Sequence, residues 1–423
     1  MKSLEQIASA LQGYDPQALS AQQVADFLRH LAPTADPSDV QTCAVADALE
    51  RIVAQDIVSP VNVPPHDNSA MDGYALDGAV LASGGEIRLR CVGTALAGSA
   101  WQGSAPAGTC VQIMTGAVMP RGLDTVIPTE FTRQEGQDIV FEARLVQPGD
   151  NLRLCGEDLM QGQVALPQGT RLGPAALGLL ASLGIPTVAV HPRLRVAYFS
   201  TGNEVLSLGD APREGAVYDS NRYTVMGMLA RLGCQMIDLG VCPDDPVLLK
   251  QRFTQATEQA DVVITSGGVS VGEADFTKAM MRELGDVAFW RIAMRPGRPM
   301  AVGRIGKCVL FGLPGNPVAV MVTFLAFVRP ALQRLMGALE QPLPTVRARC
   351  SERVRKKPGR TEYQRVQLNR AADGAWEART TGQQGSGVLR SMVQADGLMV
   401  IPHEQGDVQP GDWVDVMLFD GLG

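Results

Sequence analysis

The 423-residue chain lacks the short motifs that identify several common metal, redox and nucleotide sites. Its eight cysteines are scattered and form no CxxC pair, so the sequence indicates neither a zinc site nor a redox dithiol. It has no GxxxxGK run followed by Ser or Thr, and no GxGxxG run opens a helix after a strand. These absences disfavour phosphoryl transfer by a P-loop and binding of a nicotinamide cofactor.

An excess of positive charge and long apolar runs are also missing. The 37 Lys and Arg residues against 44 Asp and Glu residues give a net charge of −7, which argues against a general nucleic-acid partner. A locally positive site or a bound cation can still attract a small anion. Residues 1–15 contain no continuous apolar core of a signal peptide, and we find no stretch of roughly 18 apolar residues that would cross a membrane. We therefore expect a cytoplasmic protein with reduced thiols and no membrane partner.

Apolar residues make up 45% of the chain and charged residues 19%, which is typical of a folded protein with several packed cores. A helix is predicted after the N-cap candidate Ser20, and another over residues 47–54. Short apolar runs separated by Gly and Pro then predict a β-rich module. From residue 195 onwards, strands alternate with helices, which predicts a mostly parallel sheet covered on both faces.

The predicted fold class is therefore a multidomain α/β protein. Its central domain is a doubly wound, mostly parallel sheet with helices on both faces. The predicted divisions are an N-terminal helical and linker part (1–60, completed by 151–192), a β-rich inserted domain (61–150), the α/β domain (193–340) and a small β-barrel-like domain (341–423).

A glycine-rich loop follows the predicted strand that begins at Asp261. Ser266, Gly267, Gly268 and Ser270 lie in this loop, at the carboxyl edge where open α/β sheets bind ligands. Glycines let the backbone approach an anion, and the helix that follows offers free N–H groups, so the loop suits a phosphate or an oxyanion. A plain strand–helix turn remains an alternative.

The same loop allows a hydrolase as a rival. The run from Gly268 to Gly272 fits the GxSxG pattern of a nucleophile elbow with Ser270 as the nucleophile. That chemistry needs a later histidine, and only His403 follows Ser270, in the predicted C-terminal β domain.

Three acids follow different strands of the predicted sheet or open its helices. Glu204, Asp244 and Asp275 are expected on one rim, where like charges about 4 Å apart repel by roughly 1–4 kcal/mol. A cation relieves this repulsion. Mg²⁺ takes one or two carboxylates and completes its shell with water and phosphate oxygens. Helix caps or solvated loop acids are the alternative.

Arginines stand close to this rim in the sequence. Arg291, Arg295 and Arg298 flank a loop fixed by Pro and Gly, and guanidinium groups bind flat anions in a bidentate manner. The run Leu313-Pro-Gly-Asn-Pro317 is rigid enough to form one wall of a pocket. Surface ion pairs and a simple turn are the alternatives.

Four runs in this order resemble the MoeA family of molybdopterin molybdenumtransferases, which includes part of gephyrin and the plant Cnx proteins. The runs are NSAMDGYAL from Asn68, MTGAVMP from Met114, TSGGVSVGEADF from Thr265 and LPGNP from Leu313. The resemblance extends over essentially the whole chain. It implies four domains and an elongated dimer whose active cleft is shared between subunits. By motif match, the segments Pro358–Arg360 and Gln384–Ser386 of the last domain are implied to reach the cleft of the partner subunit.

The resemblance also implies a reaction and its residues. Adenylylated molybdopterin is hydrolysed with Mg²⁺, AMP leaves, and molybdate is joined to the dithiolene. By motif match, the implied catalytic residues are Asp72, Thr115, Asp158, Glu204, Asp244, Asp275, Arg291 and Arg295, of which Glu204, Asp244 and Asp275 hold the metal. The implied cofactor-binding residues are Ser266, Gly267, Gly268, Ser270, Pro314, Gly315, Asn316, Pro317, Arg360 and Ser386.

Three points stay open at the level of the sequence. Some members of the family have lysine where this chain has Arg291 and Arg295, so the geometry of these two cations differs. The chain could also be a non-catalytic scaffold of the same fold that binds a protein partner, and molybdate and tungstate are too similar to separate. Expected transient partners are the adenylyltransferase that supplies the pterin and the enzymes that accept the cofactor.

Overall fold

The computed structural model describes residues 3–11, 13–269 and 276–419. The centre of the fold is a six-stranded sheet. Its strands, in spatial order, are Gln235–Cys242, Arg195–Thr201, Val262–Ser266, Cys308–Leu313, Pro299–Ile305 and Asp286–Arg291. The first four run parallel and the last two pair antiparallel. This confirms the doubly wound, mostly parallel sheet.

Helices cover both faces of this sheet. They are Ser220–Arg231, Pro246–Gln259, Phe276–Leu284 and the continuous run from Pro317 to Leu335. That run is α-helical over Pro317–Thr323 and Arg329–Leu335, with a π-helical segment, Phe324–Val328, between them. Val196, Val262 and Phe311 belong to the buried cluster on one face, whereas Phe199, Val263 and Leu310 belong to that on the other. The alternation follows from the two-residue period of a strand.

One helix corrects an expectation from the sequence. Among the described residues, Pro317–Leu335 is long and apolar enough to cross a membrane by length and composition. However, 61% of its most apolar window is buried inside the protein, as in the core helix of a soluble domain. Val318, Val322 and Leu332 pack into the same cluster as the sheet.

The first sixty residues contain less helix than predicted. Ser20 caps the helix Ala21–Leu31 through a capping box with Gln23, as its sequence indicated, and a shorter helix covers Leu4–Ser9. Both pack on the α/β sheet. The helix predicted over residues 47–54 is wrong: Val45–Asp47 forms only a 3₁₀ turn, and Ile52 and Val53 make isolated β-bridges.

Three two-stranded ladders join residues 41–69 to residues 152–190. Gln41–Ala44 pairs with Thr187–Val190, Ile57–Val58 with Val164–Leu166, and Asn68–Ser69 with Leu152–Arg153. The helix Pro174–Ser182 covers this part of the chain. The exact domain boundaries remain a prediction.

Two more β structures flank the α/β domain. The sheet of the β-rich segment has, in spatial order, the strands Thr125–Pro128, Gly73–Leu76, Thr109–Ile113, Glu86–Ala95, Asp138–Glu142 and Arg133–Glu135. A five-stranded C-terminal barrel contains Thr361–Arg370, Trp376–Thr380, Thr345–Cys350, Trp413–Leu418 and Gly397–Ile401, and it closes because the first and last of these strands pair. The remaining short elements are the parallel pair Val205–Leu206 and Val217–Tyr218, the 3₁₀ turns Gly78–Ser83, Thr129–Phe131 and Ala143–Leu145, and the helix Arg390–Val393.

Candidate functional site

A cleft of about 710 Å³ opens at the carboxyl edge of the central sheet, between the sheet and the C-terminal barrel. The residues that define this carboxyl-edge cleft in the argument below are Glu204, Gly267, Gly268, Arg295, Arg298, Pro314, Gly315, Asn316, Arg360, Gln384, Gly385 and Ser386. They come from the α/β domain and from the barrel, so tertiary packing alone brings them together.

The floor of the cleft is the glycine loop that follows the buried strand Val262–Ser266. Gly267 has a φ of +91°, and a Cβ at this position would lie 2.5 Å from the carbonyl oxygen of Thr201. A Cβ on Gly268 would lie 2.5 Å from the side chain of Thr277. Only glycine fits these two positions without movement of neighbouring atoms, so the backbone itself forms this surface of the cleft.

Residues 314–316 form one wall of the cleft, and a single side chain connects this wall to the floor. The Nδ2 atom of Asn221 donates to Ser266 Oγ at 2.7 Å and to the carbonyl oxygen of Gly315 at 2.7 Å. Asn221 lies near the start of the helix Ser220–Arg231 and is buried. It therefore fixes the separation of the two loops without lining the cleft.

Positively charged side chains form another wall of the cleft. Arg295 and Arg298 are exposed to the cleft, and neither makes an ion pair with any residue that the structure describes. The short strand Met294–Arg295 pairs with Thr361–Glu362 of the barrel, which brings Arg360 to the same wall. The Arg360 guanidinium is held by the buried Glu362 carboxylate, with Nε at 2.7 Å from Oε1. The cleft thus has two arginines without an ion pair among the described residues, a third that is paired with Glu362, and one glutamate, Glu204. The remaining positive charge suits an anion.

The barrel contributes the segment Gln384–Ser386 to the cleft of its own chain. The implied approach of this segment to the partner's cleft stays a prediction. The carbonyl oxygen of Ser386 accepts the N–H of Val318 at 3.1 Å, at the start of the helix Pro317–Thr323. Pro317 begins that helix and Ser266 ends its strand beneath the loop, so both lie beside the cleft rather than on its surface.

Of the three predicted acids, the structure describes two, and both follow strands that end at this edge of the sheet. Glu204 is exposed in the cleft, and its carboxylate lies over Gly202, because a Cβ there would be 2.7 Å from either oxygen. Asp244 follows the neighbouring strand and is half-buried, and its N–H donates to Asn203 Oδ1 at 3.2 Å. Asp275 and Ser270 lie outside the described residues.

Two of the three predicted metal ligands, Glu204 and Asp244, follow strands that end at the same sheet edge. Within residues 3–11, 13–269 and 276–419, no group of three or more His, Cys, Asp or Glu side chains could hold a metal ion. Glu204 and Asp244 follow the adjacent strands Arg195–Thr201 and Gln235–Cys242, whose ends are in register at Thr201 and Cys242. Two carboxylates at one edge are sufficient for Mg²⁺ when water and phosphate oxygens complete its shell.

Three other predicted residues lie in a different region of the chain. Asp72 Oδ1 accepts the N–H and the hydroxyl of Thr115, each at 2.7 Å. These two hydrogen bonds, first that of the N–H, hold the pKa of Asp72 below its ordinary value. Asp158 is exposed in a turn, and its backbone N–H donates to the carbonyl oxygen of Val63. None of the three lines the carboxyl-edge cleft of its own chain.

Arg291 is also separate from the cleft surface. It ends the edge strand Asp286–Arg291, and its N–H donates to the carbonyl oxygen of Pro16 at 2.8 Å. The sequence analysis did not single out Asn221, because an asparagine after Asp219 and Ser220 has the pattern of an ordinary helix start. No local signal distinguishes it, since its two acceptors are 45 and 94 residues away.

The fold and the cleft define a class: a multidomain α/β protein with an arginine-lined cleft at the carboxyl edge of its parallel sheet. Family models match nearly all of the chain. The MoeA N-terminal region (domain I and II) matches residues 19–184, a probable molybdopterin binding domain matches residues 197–334, and the MoeA C-terminal region (domain IV) matches residues 347–419. The chain belongs to the MoeA family of molybdopterin molybdenumtransferases.

Named relatives support this assignment over nearly the full length. A molybdopterin molybdenumtransferase of Haemophilus influenzae is 41% identical over 91% of this chain and 95% of that protein. One of Bacillus subtilis is 31% identical, with 93% of each chain covered. A molybdopterin biosynthesis MoeA protein of Pyrococcus horikoshii OT3 matches in structure, with a TM-score of 0.81 at 26% identity, over 95% of this chain and all of that one.

Proposed function

We propose that this chain is a molybdopterin molybdenumtransferase that inserts molybdenum into molybdopterin during molybdenum cofactor biosynthesis. The observation that carries the proposal is the carboxyl-edge cleft, where a glycine backbone, three arginines and Glu204 surround a space large enough for a pterin derivative. Relatives named for this reaction cover more than nine tenths of the chain.

We further propose that the substrate is adenylylated molybdopterin. Arg295, Arg298 and Arg360 neutralise its phosphate groups and the incoming molybdate, and N–H groups of the Gly267–Gly268 loop donate to oxygens on which charge develops. Water cleaves the phosphoanhydride bond: its oxygen bonds to one phosphorus, the bridging oxygen leaves with the other, and AMP separates from molybdopterin. Molybdate then loses one oxo group as water, which takes two thiol protons, while two Mo–S bonds form.

Glu204 and Asp244 would hold Mg²⁺ in this proposal, together with Asp275. When bound there, the ion neutralises negative charge on the phosphate. Glu204 lines the cleft, whereas Asp244 is half-buried and is not among the lining residues. The support for a shared site is that the two acids follow adjacent strands whose ends are in register.

We also propose a homodimer in which Asp72, Thr115 and Asp158 complete the cleft of the partner subunit. The support is that these family-matched residues are remote from the cleft of their own chain. The proposed role of Asp72 and Asp158 is to contact the pterin or to position the metal that enters, and Thr115 holds the carboxylate of Asp72. The cytoplasmic location, the transient protein partners and the lack of nucleic-acid binding remain predictions.

The test is AMP release from adenylylated molybdopterin, measured with and without molybdate and Mg²⁺ and followed by cofactor reconstitution. We expect release to require both ions and to fall at least about a hundredfold in Asp244→Ala and Asp275→Ala proteins, because the cation site is lost. Glu214→Ala, which removes an exposed acid, is the control. Binding of the nucleotide adduct by the wild type without turnover would instead favour the scaffold.

A further inference from the structure

Two of the eight scattered cysteines meet in the β-rich segment, although no CxxC motif indicated a dithiol. Cys91 and Cys110 lie on the neighbouring parallel strands Glu86–Ala95 and Thr109–Ile113 and are paired in register. Both belong to the same apolar cluster, so their side chains point to the same face of the sheet. Adjacent strands lie about 4.8 Å apart, a Cα separation within the range of roughly 4.4–6.8 Å that a disulfide spans.

The two thiols differ in their access to solvent. Cys110 is fully buried, whereas Cys91 is half-buried and lines a surface hollow of about 640 Å³. Among the described residues that line this hollow, Arg90 has the only charged side chain, which suits a small anionic ligand. The Cys91 thiol donates only to the carbonyl oxygen of Gly93, at 3.4 Å, which is a weak hydrogen bond. An external reagent therefore meets Cys91 first and reaches Cys110 through it.

The surroundings of Cys110 keep this thiol protonated. Burial, and then the neighbouring Cys91 thiol, raise the pKa of Cys110 to about 12. The Asp138 carboxylate acts in the same direction, and the phenol of the buried Tyr74 faces both thiols. The thiolate is the nucleophile in thiol–disulfide exchange, so Cys110 reacts slowly at neutral pH.

We propose that Cys91 is a site of thiolation by low-molecular-weight disulfides, and that Cys110 resolves the adduct into an intrachain disulfide. In the first step the Cys91 thiolate attacks one sulfur of the external disulfide, a mixed disulfide forms, and one external thiolate leaves. In the second step the Cys110 thiolate attacks the Cys91 sulfur, the second external thiolate leaves, and the intrachain S–S bond forms. The two departing thiolates take up the two protons lost by the protein thiols. The protein is oxidised by two electrons, and the external disulfide is reduced by two.

The modification acts on the sheet that carries Asp72 and Thr115. The strand Thr109–Ile113 runs from Cys110 towards Thr115, and its other neighbour, Gly73–Leu76, begins directly after Asp72. A disulfide at Cys110 would fix the strand that leads to Thr115 to the strand on its other side. The inference does not require the proposed function, because the two thiols and their access to solvent define the site.

The experiment incubates the reduced full-length protein with oxidised glutathione, traps free thiols with N-ethylmaleimide, and identifies the products by intact mass and peptide mapping. Cys110→Ala keeps Cys91 and removes its resolving partner, and Cys91→Ser removes the accessible thiol. Cys155→Ser is the control, because Cys155 is also half-buried but its sulfur contacts Asn62 and Pro65 instead of a second cysteine.

We expect the wild type to pass through a mixed disulfide at Cys91 to a disulfide between Cys91 and Cys110. After removal of excess glutathione, this conversion should accelerate about tenfold per pH unit between about pH 7 and 9, because the thiolate fraction of Cys110 rises in this way far below its pKa. Cys110→Ala should stop at a stable mixed disulfide, and Cys91→Ser should form neither product. Cys155→Ser should form both products at wild-type rates.

Equal persistence of the mixed disulfide in the wild type and in Cys110→Ala would overturn the inference, and so would labelling of Cys91 only after unfolding in urea. If a variant does not fold, peptide mapping of the wild type decides the same question, because it identifies which two cysteines are joined. The proposed function is tested separately by AMP release from the reduced wild type, which contains neither product.

Discussion

Two regions of the molecule contain predicted catalytic residues that differ in their hydrogen bonding. One is the carboxyl-edge cleft, and the other is the pair Asp72 and Thr115, called the corner below. In the cleft, Arg295 and Arg298 face solvent without an acidic partner among the described residues, and the floor is bare glycine backbone. In the corner, Asp72 already has two hydrogen bonds from Thr115. The first region has unused capacity to bind an anion, whereas the second presents one fixed carboxylate.

This difference shows how binding and positioning can be divided within one chain. A cleft built from a sheet edge and a separate barrel can surround a ligand, because its walls come from distant segments. A single carboxylate held by a neighbouring N–H keeps its charge and orientation before any ligand arrives. The comparison predicts large effects from charge changes in the cleft and small ones from the hydroxyl in the corner.

The largest expected effect comes from Glu204→Gln, which removes the only acid among the described residues that line the cleft. We expect AMP release to fall about a hundredfold or more, because the cation loses a ligand while the side chain keeps its shape. The measurement is single-turnover AMP release at saturating Mg²⁺. Glu214→Gln, an exposed acid in the loop that follows, should retain wild-type rates. Equal rates of AMP release for Glu204→Gln and Glu214→Gln would contradict the expectation that a charge change in the cleft has the largest effect.

A smaller effect is expected from Gly267→Ala, with Gly209→Ala as its partner. Both glycines have positive φ, +91° and +96°, but a Cβ meets backbone and side-chain atoms only at Gly267. We expect Gly209→Ala to lower the free energy of unfolding by about 1 kcal/mol and Gly267→Ala to lower it by roughly 2 kcal/mol more. Urea unfolding measures both. Equal losses would mean that the cleft floor is not held close to Thr201.

The smallest effect is expected from Thr115→Ala in the corner. The folded pKa of Asp72 is depressed, so its stabilising contribution is present above the unfolded pKa and is lost as pH falls through the folded one. Alanine removes the hydroxyl donor and keeps the N–H, so the pKa of Asp72 should rise only part of the way towards that of an unperturbed aspartate. Carboxyl-carbon NMR titration measures it, and Thr115→Ser should restore the wild-type value. The rate of AMP release at pH 7 should fall less than in Glu204→Gln, since Asp72 stays ionised in every variant and only one hydroxyl is lost.

The local sequence pattern predicted much of the fold. The apolar strand before Gly267 and the two glycines that follow it predicted a buried strand and a loop at the sheet edge, and both are present. The strand Pro299–Ile305 was missed, because proline and glycine within it resemble a loop signal. Residues 47–54 were assigned to a helix on apolar spacing alone, whereas Ile52 and Val53 bridge to Arg171 and Val190, which no local pattern records.

The sequence by itself determined the elements, the glycine floor and the family, because these depend on residue order along one segment or on matched runs. Only the tertiary structure decided that Arg360 and Ser386 join Arg295, since this depends on the pairing of Met294–Arg295 with a barrel strand more than sixty residues later. It also decided that Asn221 fixes the distance between two loops. Such contacts depend on how separate surfaces pack, and the spacing of residues in the chain does not encode them one segment at a time.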